Sequence, residues 1–182
     1  EAGVILTARD VSTAPEARLG PIGAPRSSPR PLTITEVLSH PLGTRLAQQF
    51  VEVQNRGGAP VSLAGLQLHD DNGFDVLPDV TVPPGGFALI VTADWREDDG
   101  LDPRPAQGTT IARVAGASLG KNGIRETGER VELTEPDGRP VSRFSTEGLR
   151  LDAGQSARRT GPCDVGASFA PSPGATSTPG SP

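Results

Sequence analysis

The sequence predicts an all-β protein with an aliphatic core. Short apolar runs alternate with turn signals along most of the chain, which is typical of a sandwich or a barrel. No segment of useful length shows a helical period. With 23 glycines and 19 prolines among 182 residues, the chain has little room for long helices. Aromatic residues make up only 3%, so the core must be built from Val, Leu, Ile and Ala.

The predicted strands follow one another from residue 32 onward. "LTITEVLSH" alternates apolar and polar residues, with a shift before its valine. "QFVEVQN" places Phe50 and Glu52 on one face, and Val51 and Val53 on the other. "VSLAGLQLHD" forms two short runs around Gly65. "GGFALIV" is continuously apolar, which predicts a central strand. "RVELTE", the turn "PDGRP" and "VSRFS" then predict a β-hairpin.

Two glycine-containing stretches raise the question of ligand binding. "GASLGKNG" has three residues, not four, between Gly116 and Gly120, and Asn122 follows its lysine. Because a phosphate loop needs the Walker spacing and a following helix, this stretch is interpreted as a turn with a solvated Lys121.

The stretch "HDDNGFD" offers oxygen ligands for calcium. It lacks the glycine at the sixth position and the glutamate at the twelfth that an EF-hand loop needs. Asp-Asn-Gly is also a strong hairpin signal, so a turn is favoured and a weak cation site is the alternative. The oxygen-bearing residues are Asp70, Asp71, Asn72 and Asp75.

The two ends differ from the middle in composition. Residues 1–31 are proline-rich and predict an extended linker, although "GVILTA" could add an edge strand; residues 170–182 predict a Pro/Gly/Ser-rich tail. The folded part is therefore expected at 32–169.

The absence of methionine indicates a processed protein or a piece of a longer one. Cys163 is the single cysteine, which excludes an internal disulfide; a free thiol is favoured over an intermolecular bridge.

Six segments in order resemble the lamin tail domain family in its bacterial form. "ITEVLSHP", "QFVEVQNRGGAPVSLAGLQLHDDNG" and "VTVPPGGFALIVTAD" resemble its I-N-E-V, F-V-E-L, V-D-L-S-G-W and P-G-G-Y strands. Downstream, the hairpin, "GQSARR" and "PSPGATSTPG" sit where the family has its hairpin, its G-x-S-x-x-R strand and its closing P-T-P-G. The resemblance implies an immunoglobulin-like β-sandwich over about 31–180. The family's tryptophan is replaced by Leu66 and its aspartate by Ser62, so binding properties are not carried over.

Candidate catalytic and metal-binding residues are few. Glu36 and Glu52 lie on neighbouring predicted strands, and a structural role through hydrogen bonds to backbone or an arginine is favoured over a hydrolase pair. His40 and His69 lack a second ligand at metal spacing. No nucleophile motif is present. The sequence therefore predicts no enzyme, no catalytic residue, no cofactor and no metal.

Net charge and aromatic content limit the classes of partner that the chain could bind. The net charge of −5 and the scarcity of aromatic side chains disfavour nucleic acid, and no apolar run reaches the roughly 20 residues of a spanning helix. Trp95 and Arg96 in "DWRED" are the predicted partner contact, since Trp and Arg are favoured interface anchors. For the tryptophan itself, packing over a sheet edge is favoured, because a lone tryptophan more often packs in this way.

These observations and the resemblance lead to one functional hypothesis. The chain is predicted to be a non-catalytic binding or structural module with a protein partner, serving an exported, extracellular or envelope-associated bacterial assembly. The alternatives are an accessory domain of a secreted hydrolase or nuclease, and a weak calcium- or polysaccharide-binding module.

Overall fold

The chain folds into packed β-sheets. A computed structural model describes residues 30–162, 168–174 and 176–181, and within these ranges it contains β-strands and no α-helix. The strands are β1 Leu32–Leu38, β2 Phe50–Asn55, β3 Val61–Ser62, β4 Gln67–His69, β5 Phe74–Val76, β6 Thr81–Val82, β7 Phe87–Val91, β8 Thr110–Arg113, β9 Arg130–Thr134, β10 Pro140–Ser145, β11 Ala157–Arg159 and β12 Phe169–Pro171.

Two main sheets form the sandwich. The six-stranded sheet has the order β12-β11-β1-β2-β7-β8, the four-stranded sheet has the order β10-β9-β4-β5, and β3 pairs with β6 in a small third sheet. The predicted interior position of "GGFALIV" is confirmed, because β7 pairs with β2 on one side and with β8 on the other. Strand β8 was not among the predicted strands. It is short, and it joins the sheet by parallel pairing with β7.

A β-bulge in β1 explains the shift in its apolar pattern. Ile34 and Val37 are three residues apart, so in a regular strand they would face opposite sides. The register with β2 slips between Ile34 and Glu36, and the extra residue returns Val37 to the core side. Both side chains belong to the main core cluster, together with residues of the four-stranded sheet.

The predicted assignment of the β2 side chains to the two faces of the strand is confirmed. The two faces belong to two separate apolar layers. Val51 and Val53 belong to the main core between the sheets. Phe50 belongs to a second buried cluster with Leu38, Leu89, Val91 and Trp95. Because successive side chains of a strand point to opposite faces, this second cluster lies on the outer face of the six-stranded sheet.

The predicted turns are also confirmed. Asp70 and Gly73 close the turn between β4 and β5, where Asp70 Oδ1 accepts the N–H groups of Asn72 at 2.7 Å and Gly73 at 2.6 Å. The "PDGRP" turn joins β9 to β10, and the N–H of Glu135 donates to the carbonyl of Arg139 at 2.8 Å.

The C-terminal stretch predicted as a tail contacts the sandwich. Strand β12 pairs with β11, and residues 176–181, called the strap below, bind to the six-stranded sheet through Thr178 and Gly180. The composition of the C-terminal stretch does not predict this packing, because the packing depends on hydrogen bonds to strands that are distant in the sequence.

At the N-terminal end of the described residues, Arg30 forms an ion pair with Glu135 at 2.6 Å. Residues 1–29 and Cys163 lie outside the described ranges, and the predicted domain boundaries stay predictions.

The described part of the chain has no helix that is long and apolar enough to cross a membrane.

Candidate functional site

The long loop between β7 and β8 covers the outer face of the six-stranded sheet with Trp95. The indole is only 5% exposed and packs in the second apolar cluster. Arg113 of β8 lies over the indole, 5.6 Å from its centroid, and its Nη1 donates to the Trp95 carbonyl at 2.7 Å. Cation–π packing of this kind stabilises a buried aromatic ring.

Trp95 is therefore buried against the sheet, in agreement with the favoured interpretation that a lone tryptophan packs over a sheet. The backbone of Arg96 is held by Gln48, whose side chain accepts from the Arg96 N–H at 2.8 Å and donates to its carbonyl at 3.0 Å. The Arg96 residue is exposed. A partner contact by Trp95 and Arg96 stays a prediction, and of the two only Arg96 is exposed to solvent.

The carboxylates of Glu36 and Glu52 lie side by side beneath the strap. They are direct partners in the register of β1 and β2, and each is 1% exposed. Glu36 Oε1 accepts from Ser156 Oγ at 2.6 Å, and Glu52 Oε1 accepts from Thr35 Oγ1 at 2.5 Å.

Further donors to this pair come from the strap. The Thr178 N–H donates to Glu36 Oε1 and the Thr178 hydroxyl to Glu36 Oε2, both at 2.8 Å. The Gly180 N–H donates to Glu52 Oε2 at 2.5 Å. The predicted structural role of both glutamates, through hydrogen bonds to backbone, is thus confirmed. Because buried carboxylates need donors to offset their desolvation, strap and glutamates stabilise one another.

Burial raises the pKa of Glu52 to about 7. Hydrogen bonds from Thr35 and from the Gly180 N–H lower this pKa, and the neighbouring Glu36 carboxylate adds to the rise. Loss of hydration outweighs the donors because it penalises the charged form most strongly. A raised pKa alone does not make an acid–base catalyst, and here the strap occupies the space above the carboxylate.

The outer face of the four-stranded sheet is open to solvent at its edge strand β5. Asp75 lies opposite Leu68, a core residue, so its side chain faces the interior side of the sheet. Phe74 and Val76 therefore face outward, and they are 52% and 57% exposed. The strand is inverted with respect to the usual pattern, because its carboxylate points inward and its two apolar side chains point to water.

The inward carboxylate of β5 is held by the loop that contains "GASLGKNG". The Gly120 N–H donates to Asp75 Oδ2 at 2.6 Å. Burial raises the pKa of Asp75, and this hydrogen bond opposes the rise. Gly120 has a φ of +59° and the stretch leads into β9 without a helix, so its interpretation as a turn is confirmed.

A polar row continues from Phe74 across the same outer face. The ring of His69 lies 5.2 Å from that of Phe74. Next to it in register stand Glu132 and Arg143, joined by an ion pair at 2.9 Å. A cleft of about 550 Å³ runs along this row and is lined by His69, Glu132 and Arg143 among others. Apolar anchors beside oriented polar groups are what a protein interface needs.

The acidic side chains of "HDDNGFD" are engaged within the protein. Asp70 caps its own turn through Oδ1, while its buried Oδ2 has no hydrogen-bond partner within the described residues; Asp71 pairs with Arg125, and Asp75 accepts from Gly120. Within the described ranges, no group of three or more His, Cys, Asp or Glu side chains could hold a metal ion.

Sequence reasoning missed Phe74, Val76 and the residues of the strap as candidates for binding. "FDV" alternates as a half-buried strand does, which predicts its apolar residues inside; only the pairing with β4 shows the opposite. For the strap, the available signal was the match of "PSPGATSTPG" to the closing P-T-P-G segment.

The packed sheets define the protein as an immunoglobulin-like β-sandwich. The model of the Lamin Tail Domain family matches residues 25–148, more than half of the chain, and the chain belongs to this family. The resemblance seen in the sequence is thereby confirmed. Lamin tail domains are immunoglobulin-like modules that generally take part in protein interactions, and the family is non-enzymatic. No curated protein matches the chain.

Proposed function

We propose that this chain is a non-catalytic module that binds a protein partner through the outer face of its four-stranded sheet. The inverted strand β5 is the observation that carries the proposal. Exposing Phe74 and Val76 while half-burying Asp75 opposes folding stability, since apolar surface stays in water and a carboxylate is partly desolvated. Departures from the folding pattern of this kind are expected at functional sites.

The chemistry of the face fits a protein partner better than nucleic acid. Phe74 and Val76 supply an apolar centre, and the Glu132–Arg143 pair supplies a polar rim of balanced charge. The chain carries a net charge of −5, which disfavours phosphate backbones. Burial of the apolar pair against a partner would remove the cost of its exposure to water.

We place this module in an exported, extracellular or envelope-associated bacterial assembly. The support is the resemblance of its motifs to bacterial lamin tail sequences. The proline-rich composition of residues 1–31 suits a module joined to, or threaded along, other proteins.

The experiment is a pull-down with the tagged full chain from native envelope and secreted fractions, read by mass spectrometry. Phe74→Ser/Val76→Ser is compared with wild type and with Leu101→Ser. Leu101 is the matched control, because it is 60% exposed and lies in the loop between β7 and β8. A stoichiometric partner retained by wild type and Leu101→Ser but lost from the double variant supports the proposal. Equal retention by all three chains overturns it.

A further inference from the structure

The strap lies on the six-stranded sheet as a bound peptide lies in a groove. The walls and floor of this groove come from other parts of the chain: Glu36 of β1, Glu52 of β2, and residues 106–109 before β8. Strands β1 and β2 are interior members of their sheet. The floor of the groove is therefore built on two interior strands, and its wall is the turn at 106–109, which is hydrogen-bonded to the strap.

Each of three consecutive strap residues meets a specific requirement. Thr178 gives Glu36 two hydrogen bonds, one from its N–H and one from its hydroxyl. Two bonds from one residue to one carboxylate fix both position and orientation, and hydrogen bonds to charged groups are the stronger kind. Valine would keep the shape of threonine here and lose the hydroxyl donor.

Pro179 and Gly180 complete the pattern. The Pro179 carbonyl accepts from the Ala106 N–H at 2.9 Å. Because proline has no backbone N–H, it leaves no donor that would need a partner at this position. Gly180 has a φ of +81°, and a Cβ there would overlap the Thr109 hydroxyl and lie 3.1 Å from the Ala106 nitrogen. Only glycine satisfies both conditions while donating its N–H to Glu52.

We propose that the groove over Glu36 and Glu52 is a peptide-binding site for extended Thr-Pro-Gly segments. The strap fills this site from within the chain, and the site accepts the same segment from a second chain when the strap is displaced. The groove lies on the opposite sheet from Phe74, and the proposal stands apart from the interface proposed above.

The strap competes with any added peptide for the groove, and the binding assay must remove this competition. A tethered segment has an effective concentration of the order of millimolar, so a peptide from another chain competes poorly with an intact strap. Displacing the strap without shortening the protein removes this competition. Gly180→Val does so in the full chain, because the valine side chain cannot enter the space beside Thr109.

The test measures fluorescence anisotropy of a labelled, end-capped Ser-Thr-Pro-Gly-Ser peptide. Gly138→Val is the matched control, since Gly138 has the same φ of +81° in the β9–β10 turn with open space around it. We expect saturable binding to Gly180→Val, and binding at least tenfold weaker to wild type and to Gly138→Val. Replacing threonine by valine in the peptide, or adding Glu36→Gln to Gly180→Val, should each weaken binding at least tenfold.

Circular dichroism and cooperative urea unfolding report whether each variant folds. A folded Gly180→Val chain that shows no saturable binding at millimolar peptide overturns the proposal, and so does equal binding of the threonine and valine peptides. If Gly180→Val does not fold, Thr178→Val takes its place with the same expectations. Loss of cooperative unfolding in both variants would show that the strap is an integral part of the fold, which also overturns the proposal.

Discussion

At the scale of single residues, Glu52 connects burial to a dependence of stability on pH. Its carboxyl is 1% exposed and its pKa is raised to about 7 from 4.5, chiefly by burial. A group with a raised pKa binds its proton more tightly in the folded state. Its contribution to stability is therefore fully present below pH 4.5 and is lost as the pH rises through about 7.

Glu52→Gln should remove this dependence, because an amide does not ionise in this range. We compare the unfolding free energies of wild type and variant. The value for wild type minus the value for the variant should fall as the pH rises from 4.5 to 7. The fall is at most about 3 kcal/mol, since one unit of pKa corresponds to about 1.4 kcal/mol. Urea unfolding at pH 4 to 8 measures it, with the exposed Glu97→Gln as control. A difference that stays constant across this range would contradict the prediction.

At the scale of elements, the long loop between β7 and β8 acts as a cover for the outer face of the six-stranded sheet. Trp95 anchors it among Phe50, Leu89 and Val91. Removing a buried aromatic side chain costs about 3–5 kcal/mol through lost burial and the cavity that remains. Trp95 should therefore contribute most of the apolar stabilisation of the loop, beside the two hydrogen bonds between Gln48 and the Arg96 backbone.

Trp95→Ala should lower the free energy of unfolding by about 3–5 kcal/mol, measured by urea denaturation at constant pH. Arg96→Ala is the control from the same loop, because its side chain is exposed and Gln48 holds only its backbone. We expect this control to change stability by less than about 0.5 kcal/mol. Similar losses in the two variants would contradict the account of the loop as a cover anchored by Trp95.

Strand β5 differs from the Trp95 loop, because its apolar side chains are exposed to solvent and should contribute little to stability. Phe74→Ser should change the unfolding free energy by less than about 0.5 kcal/mol, as expected for an exposed position. Leu68→Ala on the neighbouring strand β4 should cost about 2–5 kcal/mol, because Leu68 is in the main core. Thermal and urea unfolding of both variants measure the contrast. A cost for Phe74→Ser near that of Leu68→Ala would show that Phe74 has a structural role.

At the scale of the whole molecule, the sequence predicts the class of fold and several of its parts. The face alternation of β2, the shift in β1 and the Asp-Asn-Gly turn follow from local periodicity and turn chemistry, and all are confirmed. The strap and the inverted β5 could not be predicted in this way. Their placement depends on hydrogen bonds between distant residues, as between Glu36 and Thr178 or between Asp75 and Gly120.

Site-specific photo-crosslinking tests the central claim, that the outer face of the four-stranded sheet binds a protein partner. A benzophenone amino acid is placed at Phe74, and in a second chain at Leu101, and each full chain is irradiated in the native fractions. Both positions are exposed, at 52% and 60%, so they have similar access to neighbouring molecules. We predict a discrete heavier adduct from position 74 that is absent from position 101. The same adducts from both positions, or an adduct from position 101 alone, would contradict the account.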